Sequence, residues 1–162
     1  MKKSMKLEHK EIHEKFQTYG KNAREWMRKC ILMLPEIDDN RIWEQKGFES
    51  LTHYAAVLAG MGRDTVNDGL RILRKTANMP HIRAVIEKKG INIIKPIENL
   101  LNVENEESWA KKAMEMSMHV LQTYVRDLRR GAPSENQKNE YQQANHIFEN
   151  AGFVDSEEAV KI

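Results

Sequence analysis

The chain has 162 residues, 31% of them charged, and a formal net charge of +2. That length supports a buried core without metal or disulfide help, and the single cysteine, Cys30, excludes a disulfide framework and a multi-cysteine zinc site. No apolar run approaches the ~20 residues of a membrane span, and no cleavable secretory signal follows the basic start, so a reducing, cytoplasmic setting is expected.

Charge is unevenly spread. Segment 1–34 carries +5, 35–49 carries -3, 50–101 carries +4, 102–118 carries -2 and 119–131 carries +2, so the body up to Gly131 is +6. The last 31 residues carry -4 and mask it. A basic body with an acidic tail suits an anionic partner, although many solvated helical proteins share this pattern.

No alternation of β-branched and polar residues marks a strand, so the fold class expected is all-α, a multi-helix bundle. Residues 1–20 read as a basic N-terminal extension, a Lys/Glu mixture with few apolar anchors. Residues 21–131 read as one helical domain. Trp26, Met27, Cys30, Ile31 and Leu34 recur at helical spacing, and Pro35 predicts a helix end near Leu34. A short helix follows from Glu36 to Lys46 and stops at Gly47. Ser50 is a suitable N-cap for a helix over Leu51–Leu58, which Gly60 and Gly62 interrupt. Arg63–Thr76 resumes the pattern with Val66, Leu70 and Leu73 inward. Pro80 opens a helix that ends before Gly90. A short helix near Pro96 holds Ile97, Leu100 and Leu101. Asn105 is read as the cap of a helix with Glu106 and Glu107 in its first turn, and His119–Arg130 is the last body helix. Residues 132–162 read as a linker and acidic tail, with one short helix at Tyr141–Asn150 carrying Ile147 and Phe148.

The informative motif is the pair of helices joined by Gly60-Met61-Gly62. A helix-turn-helix needs a small residue in its first helix, here Ala56, a glycine free to take positive φ, here Gly60, and an apolar residue in its second helix that packs back, here Val66. On this reading the second helix is the recognition helix. Arg63, Thr65, Asn67, Arg71, Arg74 and Lys75 are the candidate DNA-binding residues, since their side chains supply donors for base edges and phosphates. Asp64 and Asp68 on the same face oppose phosphate unless Arg71 or Arg74 pairs with them. Gly69 is costly inside a helix unless close packing requires it.

These residues carry a resemblance. Gly47-Phe48-x-Ser50-Leu51-x-x-Tyr54, the helix-turn-helix, Leu70-x-x-Leu73, the Pro80 helix, Glu106-Glu107-Ser108-Trp109-x-x-x-Ala113 and Val125-Arg126 together resemble the helical domain that precedes the nuclease domain in bacterial HNH endonuclease proteins. Partition-type DNA-binding domains look similar through the same helix pair. The resemblance spans about two thirds of the chain, in loose motifs. It implies double-stranded DNA as partner, with a homodimer or a separate nuclease subunit as further partners, in a bacterial or mobile-element setting.

The nuclease half is missing. No two of the six histidines are adjacent, and the tail is too short for an HNH site, which needs a general base beside metal-holding residues. The expectation is a non-enzymatic protein with no catalytic residue, cofactor or metal. His9 and His13 share a helix face but lack a third ligand. Cys30 reads as a buried structural thiol, and Met114, Met116 and Met118 as core filling. Lys2, Lys3, Lys6 and Lys10 form a solvated tail or a DNA-backbone arm. Arg126, Arg129 and Arg130 complement a helix dipole or hold phosphate. The competing functional reading is a helical protein–protein interaction module with no nucleic-acid role. A third is a piece of an enzyme whose catalytic part lies on another chain.

Overall fold

A computed structural model describes the backbone of residues 2–131 and the side chains from His9. Seven α-helices and two 3₁₀ turns account for the described chain, which contains no strand. They are α1 (Lys2–Asp39), α2 (Ile42–Gln45), α3 (Leu51–Ala59), α4 (Arg63–Lys75), α5 (Pro80–Lys89), the 3₁₀ turns Ile91–Ile94 and Glu98–Leu100, α6 (Glu106–Glu115) and α7 (Met118–Arg130). The all-α expectation holds. The predicted helix at Tyr141–Asn150 lies outside the described residues.

The first departure from the sequence reading is the end of α1, a continuous 38-residue helix that contains Pro35. Proline removes one helical hydrogen bond and crowds the preceding turn, yet α1 does not end at Leu34. Tertiary packing holds both sides of the proline. Before it, Ile31 and Leu34 are buried against Gly69 of α4. After it, Asp38 and Asp39 accept from the Arg74 guanidinium at 2.7 and 2.8 Å. The chain then reverses through Arg41 in the left-handed region and Gly47 at φ 80°.

Local signals set most later boundaries. Ser50 Oγ accepts from the His53 N–H at 3.1 Å and starts α3. Gly60, at φ 64°, ends it, and its N–H donates to Ala56 O while the Met61 N–H donates to Ala55 O. Gly90, at φ 85°, closes α5. Asn105 differs from expectation: it does not cap α6. Its Oδ1 accepts from the Asn102 N–H and its Nδ2 donates to Leu100 O, so it braces the preceding loop. Ser117 caps α7, accepting from the Val120 N–H.

The core is aliphatic. Leu34, Ile72, Leu73, Ile82, Ile86, Ile94, Ile97 and Leu121 are fully enclosed. α1 packs on α4, and α5 packs on α6. The α5–α6 pair is joined at both ends by side chains. Glu106, at the start of α6, accepts from the His81 and Ile82 N–H groups at the start of α5. Lys89, at the end of α5, donates to Ala113, Met114 and Met116 carbonyls at the end of α6. The two helices therefore run side by side in the same direction, and each charged side chain satisfies helix-end groups that lack intrahelical partners.

Two inward assignments change. Val66 and Leu73 are buried as expected, but Gly69 and Ile72 complete that face and Leu70 is only half-buried. In α3 the enclosed small residue is Ala55, at 3% exposure, while Ala56 is exposed. Helix phase explains the shift: Leu51 and Ala55, four apart, face the core, which turns Ala56, Val57 and Leu58 outward. Ala56→Leu should therefore leave stability within about 0.5 kcal/mol of wild type. Ala55→Leu should overpack the α3 interface and cost about 1–3 kcal/mol. Paired thermal melts of the two variants check this, and the reverse order would refute the α3 placement. Trp26 also departs from expectation: it is 62% exposed, with Lys29 Nζ 4.5 Å above its ring. Cys30 is a half-buried free thiol, Met114 is exposed, and Met116 and Met118 pack partly against the core.

Candidate nucleic-acid interface

α3 and α4 are joined by three residues, with Met61 of the link buried to 3% exposure. Gly60 supplies the positive φ that this short link requires. The link pins the N-terminal end of α4 at the surface, and Gly62, extended, precedes its first residue.

The six candidate residues divide into two groups. Arg63 and Asn67 are exposed in the first half of α4 and have no described partner, and Thr65 beside them is half-buried. Arg71, Arg74 and Lys75 lie in the second half, and all three are engaged within the protein. Arg71 binds Asp68 at 2.7 Å and the buried Glu98 carboxylate. Both partners push its guanidinium pKa up, Asp68 foremost. Lys75 Nζ donates to the Glu98 carbonyl. Arg74 is shared between Asp39 and Asp38, whose hydrogen bonds raise its pKa. It ties the end of α1 to α4, and two aspartates more than balance its charge.

Asp68 is not a bare repulsive charge. Lys95 at 2.7 Å and Arg71 at 2.7 Å hold its carboxyl below the ordinary range, Lys95 foremost. Asp64 is exposed in the first turn of α4. Through Lys95 this network reaches a further feature. An open groove of about 540 Å³ lies between Lys95-Pro96 and α7, with Gln122, Arg126, Arg129 and Arg130 on its rim. Arg126 pairs with Asp127 at 3.4 Å. Arg129 and Arg130 are exposed in the last turn of α7, without a described ion pair. From α4 to α7 the strip holds six cations, Arg71, Lys75, Lys95, Arg126, Arg129 and Arg130, against three acids, Asp68, Glu98 and Asp127. It therefore keeps three unmatched positive charges despite its internal pairing.

Sequence reasoning had no route to Lys95 and Glu98, which meet α4 only through the fold. The Arg126–Arg130 cluster was visible as a basic helix end, but its continuity with α4 was not. Residues behind the family resemblance do structural work here. Phe48 packs edge-on against His53 and Tyr54, with ring centroids 5.4 and 5.1 Å away. Trp109 meets Tyr124 in the same manner at 6.2 Å. His9 and His13 are exposed on α1, and no group of three metal-ligating side chains occurs among the described residues. No described helix is long and apolar enough to cross a membrane. Compared with protein families, curated proteins and solved structures, the chain matches none.

Proposed function

We propose that this chain is a non-enzymatic DNA-binding protein that lays the α3–α4 pair on duplex DNA. The observation that carries the reading is the strip from α4 to α7 with its net charge of +3, continuous with the exposed N-terminal half of α4. In helix-turn-helix docking the N-terminal residues of the second helix reach base edges. Arg63 and Asn67 occupy that position and are uncommitted. Phosphate contacts fall to Arg129, Arg130 and the Lys95 side of the groove. Arg71, Arg74 and Lys75, bound internally, brace the reading helix.

The test is titration of a fluorescent random duplex between about 50 and 200 mM salt. Each lost phosphate contact lowers the log–log salt slope by about one. Arg129→Ala with Arg130→Ala should therefore flatten the slope by about two. Arg74→Ala should leave it unchanged. Asn67→Ala should relax base preference in a selection from randomised duplexes with little change in slope. Absence of binding at about 50 mM salt would remove the DNA reading.

One observation favours the interaction-module reading. Ala56, Val57 and Leu58 form an exposed apolar stretch on α3, with Val57 and Leu58 at 59% and 60% exposure. A protein ligand would use that stretch. Val57→Ser with Leu58→Ser, which adds no charge to the helix pair laid on DNA, should leave DNA affinity nearly unchanged under the first reading and greatly weaken partner binding under the second.

A further inference from the structure

The three most exposed large apolar side chains among the described residues, Phe16, Tyr19 and Ile12, lie on α1, with Trp26 and Met33 further along it. Ile12, Phe16, Tyr19, Trp26 and Met33 are 65%, 77%, 68%, 62% and 54% exposed. With Ala23 and Cys30 they form one series at 12, 16, 19, 23, 26, 30 and 33, whose gaps alternate four and three. That is the 3.5-residue repeat of a coiled-coil seam, held for three heptads. The body covers α1 through Met27, Cys30, Ile31 and Leu34, so the series is free of the body from Ile12 to Trp26, and every described residue from His9 to Arg24 except Gly20 is exposed.

A helix standing clear of its domain needs a reason to stay helical. Isolated helices of about 12–15 residues are marginal in water, and most helical stability comes from packing an apolar face. Among its described residues the free part of α1 has one weak ion pair, Lys10–Glu14 at 3.8 Å, with Lys29–Glu25 at 2.8 Å where the body begins. Those contacts are small against the apolar surface left in water.

We infer that α1 pairs with α1 of a second copy of this chain, antiparallel, along the seam from His9 to Trp26. Two observations select this occupant. The stripe is narrow, because His13, Lys15, Gly20, Asn22 and Lys29 flank it. A helix lying on a membrane instead presents a broad apolar face. The area also suits a dimer. Side chains that bury about 150–250 Å² each when aromatic, exposed here by roughly two thirds, supply on the order of 600–800 Å² per copy, near the ~800 Å² of a standard interface.

Volume and charge then select the direction. In the antiparallel register Phe16 meets Tyr19 of the second copy, Ala23 meets its Ile12 and Trp26 meets its His9, so each large side chain faces a smaller or planar one. Lys15 faces Asn22. In the same register Lys21 lies opposite Glu14, Arg24 opposite Glu11 and Glu25 opposite Lys10. A parallel pair would stack Ala23 on Ala23 between layers of paired aromatics, and would set each of these charges beside its like. The inference does not depend on the DNA reading.

The test is the solution mass of the full chain by sedimentation equilibrium at tens of micromolar. The expected mass is twice the 18.9 kDa of one chain. Phe16→Glu with Tyr19→Glu should give a monomer that retains a cooperative melt of the body and loses helical signal from the N-terminal segment. Gln17→Glu, outside the seam, should remain dimeric. Under mild oxidation Cys30 should not cross-link, because antiparallel pairing puts the two thiols at opposite ends. A wild-type monomer, a dimer that survives the double glutamate change, or efficient Cys30 cross-linking would each overturn the inference. So would a monomer that gains helix only on vesicles of anionic lipid.

Discussion

Valine at position 69 should lower the melting temperature by about 10 °C. Gly69 lies at the contact of α4 with α1, where a Cβ would stand 3.1 Å from Leu34 Cδ1 and 3.3 Å from Ile31 Cγ2. Leu34 is 2% exposed and Ile31 is 8% exposed, so neither side chain has solvent to retreat into. Alanine brings two opposing terms. Helix propensity improves by up to about 1 kcal/mol, while the neighbours must give by a few tenths of an ångström. The two nearly cancel, and Gly69→Ala should melt close to wild type. Valine adds two methyls where the space is filled, which overpacks the interface by about 3 kcal/mol. At about 3–4 °C per kcal/mol for a chain of this size, the shift is about 10 °C. Calorimetry of the three proteins decides the matter: a valine variant melting with wild type would mean that α1 and α4 stand farther apart.

That glycine also shows how far the sequence could be read. Gly69 stood out as a helix interior position with a propensity cost, and a close approach was one reason it could carry. What approached it was not legible, because Ile31 and Leu34 lie more than thirty residues away. The same limit applies to the candidate interface. The pairing of Arg71 with Asp68, three residues back, was open to view, but Glu98, Asp38 and Asp39, which also engage Arg71, Arg74 and Lys75, are delivered only by the fold. Signals acting within one turn were readable: Ser50 as a cap, Gly60 and Gly90 as stops. Pro35 misled because its local cost is outweighed by packing on both sides. The three-and-four spacing along α1 went unread, because separating residues 1–20 from the helix they belong to leaves each part with too few repeats.

Glu106→Ala should cost about 3 kcal/mol and, unlike the Gly69 change, should alter how stability depends on pH. Glu106 Oε2 accepts from the His81 N–H at 3.1 Å and the Ile82 N–H at 3.2 Å, and Oε1 lies 2.9 Å from His81 Nδ1. One carboxylate thus caps α5 from the start of α6. Its removal leaves two N–H groups without acceptors at a largely buried helix end, each costing about 1–3 kcal/mol, and forfeits a cap of about 1 kcal/mol. Water reaching the half-exposed His81 side keeps the total near the lower part of that range.

Burial alone would raise the Glu106 pKa, but the His81 hydrogen bond and the Ile82 and His81 N–H groups outweigh it and hold the carboxyl below its ordinary 4.5. His81 shifts the other way, above its ordinary 6.5, chiefly through its hydrogen bond to Glu106. A depressed acid contributes stability above its unfolded pKa and loses it as pH falls through the folded value. A raised histidine contributes fully below its unfolded pKa and loses it as pH rises through the folded value. The pair is therefore at full strength between about pH 4.5 and 6.5 and weakens on both sides. His81→Ala should remove the alkaline decline and leave the cap on Ile82 in place. Glu106→Gln keeps an acceptor, so it should recover part of the stability lost in the alanine variant, with the acid-side dependence gone. Urea midpoints measured from pH 4 to pH 8 separate these cases. A wild-type profile parallel to that of His81→Ala across this range would show that the imidazole carries no charge-dependent share of the contact.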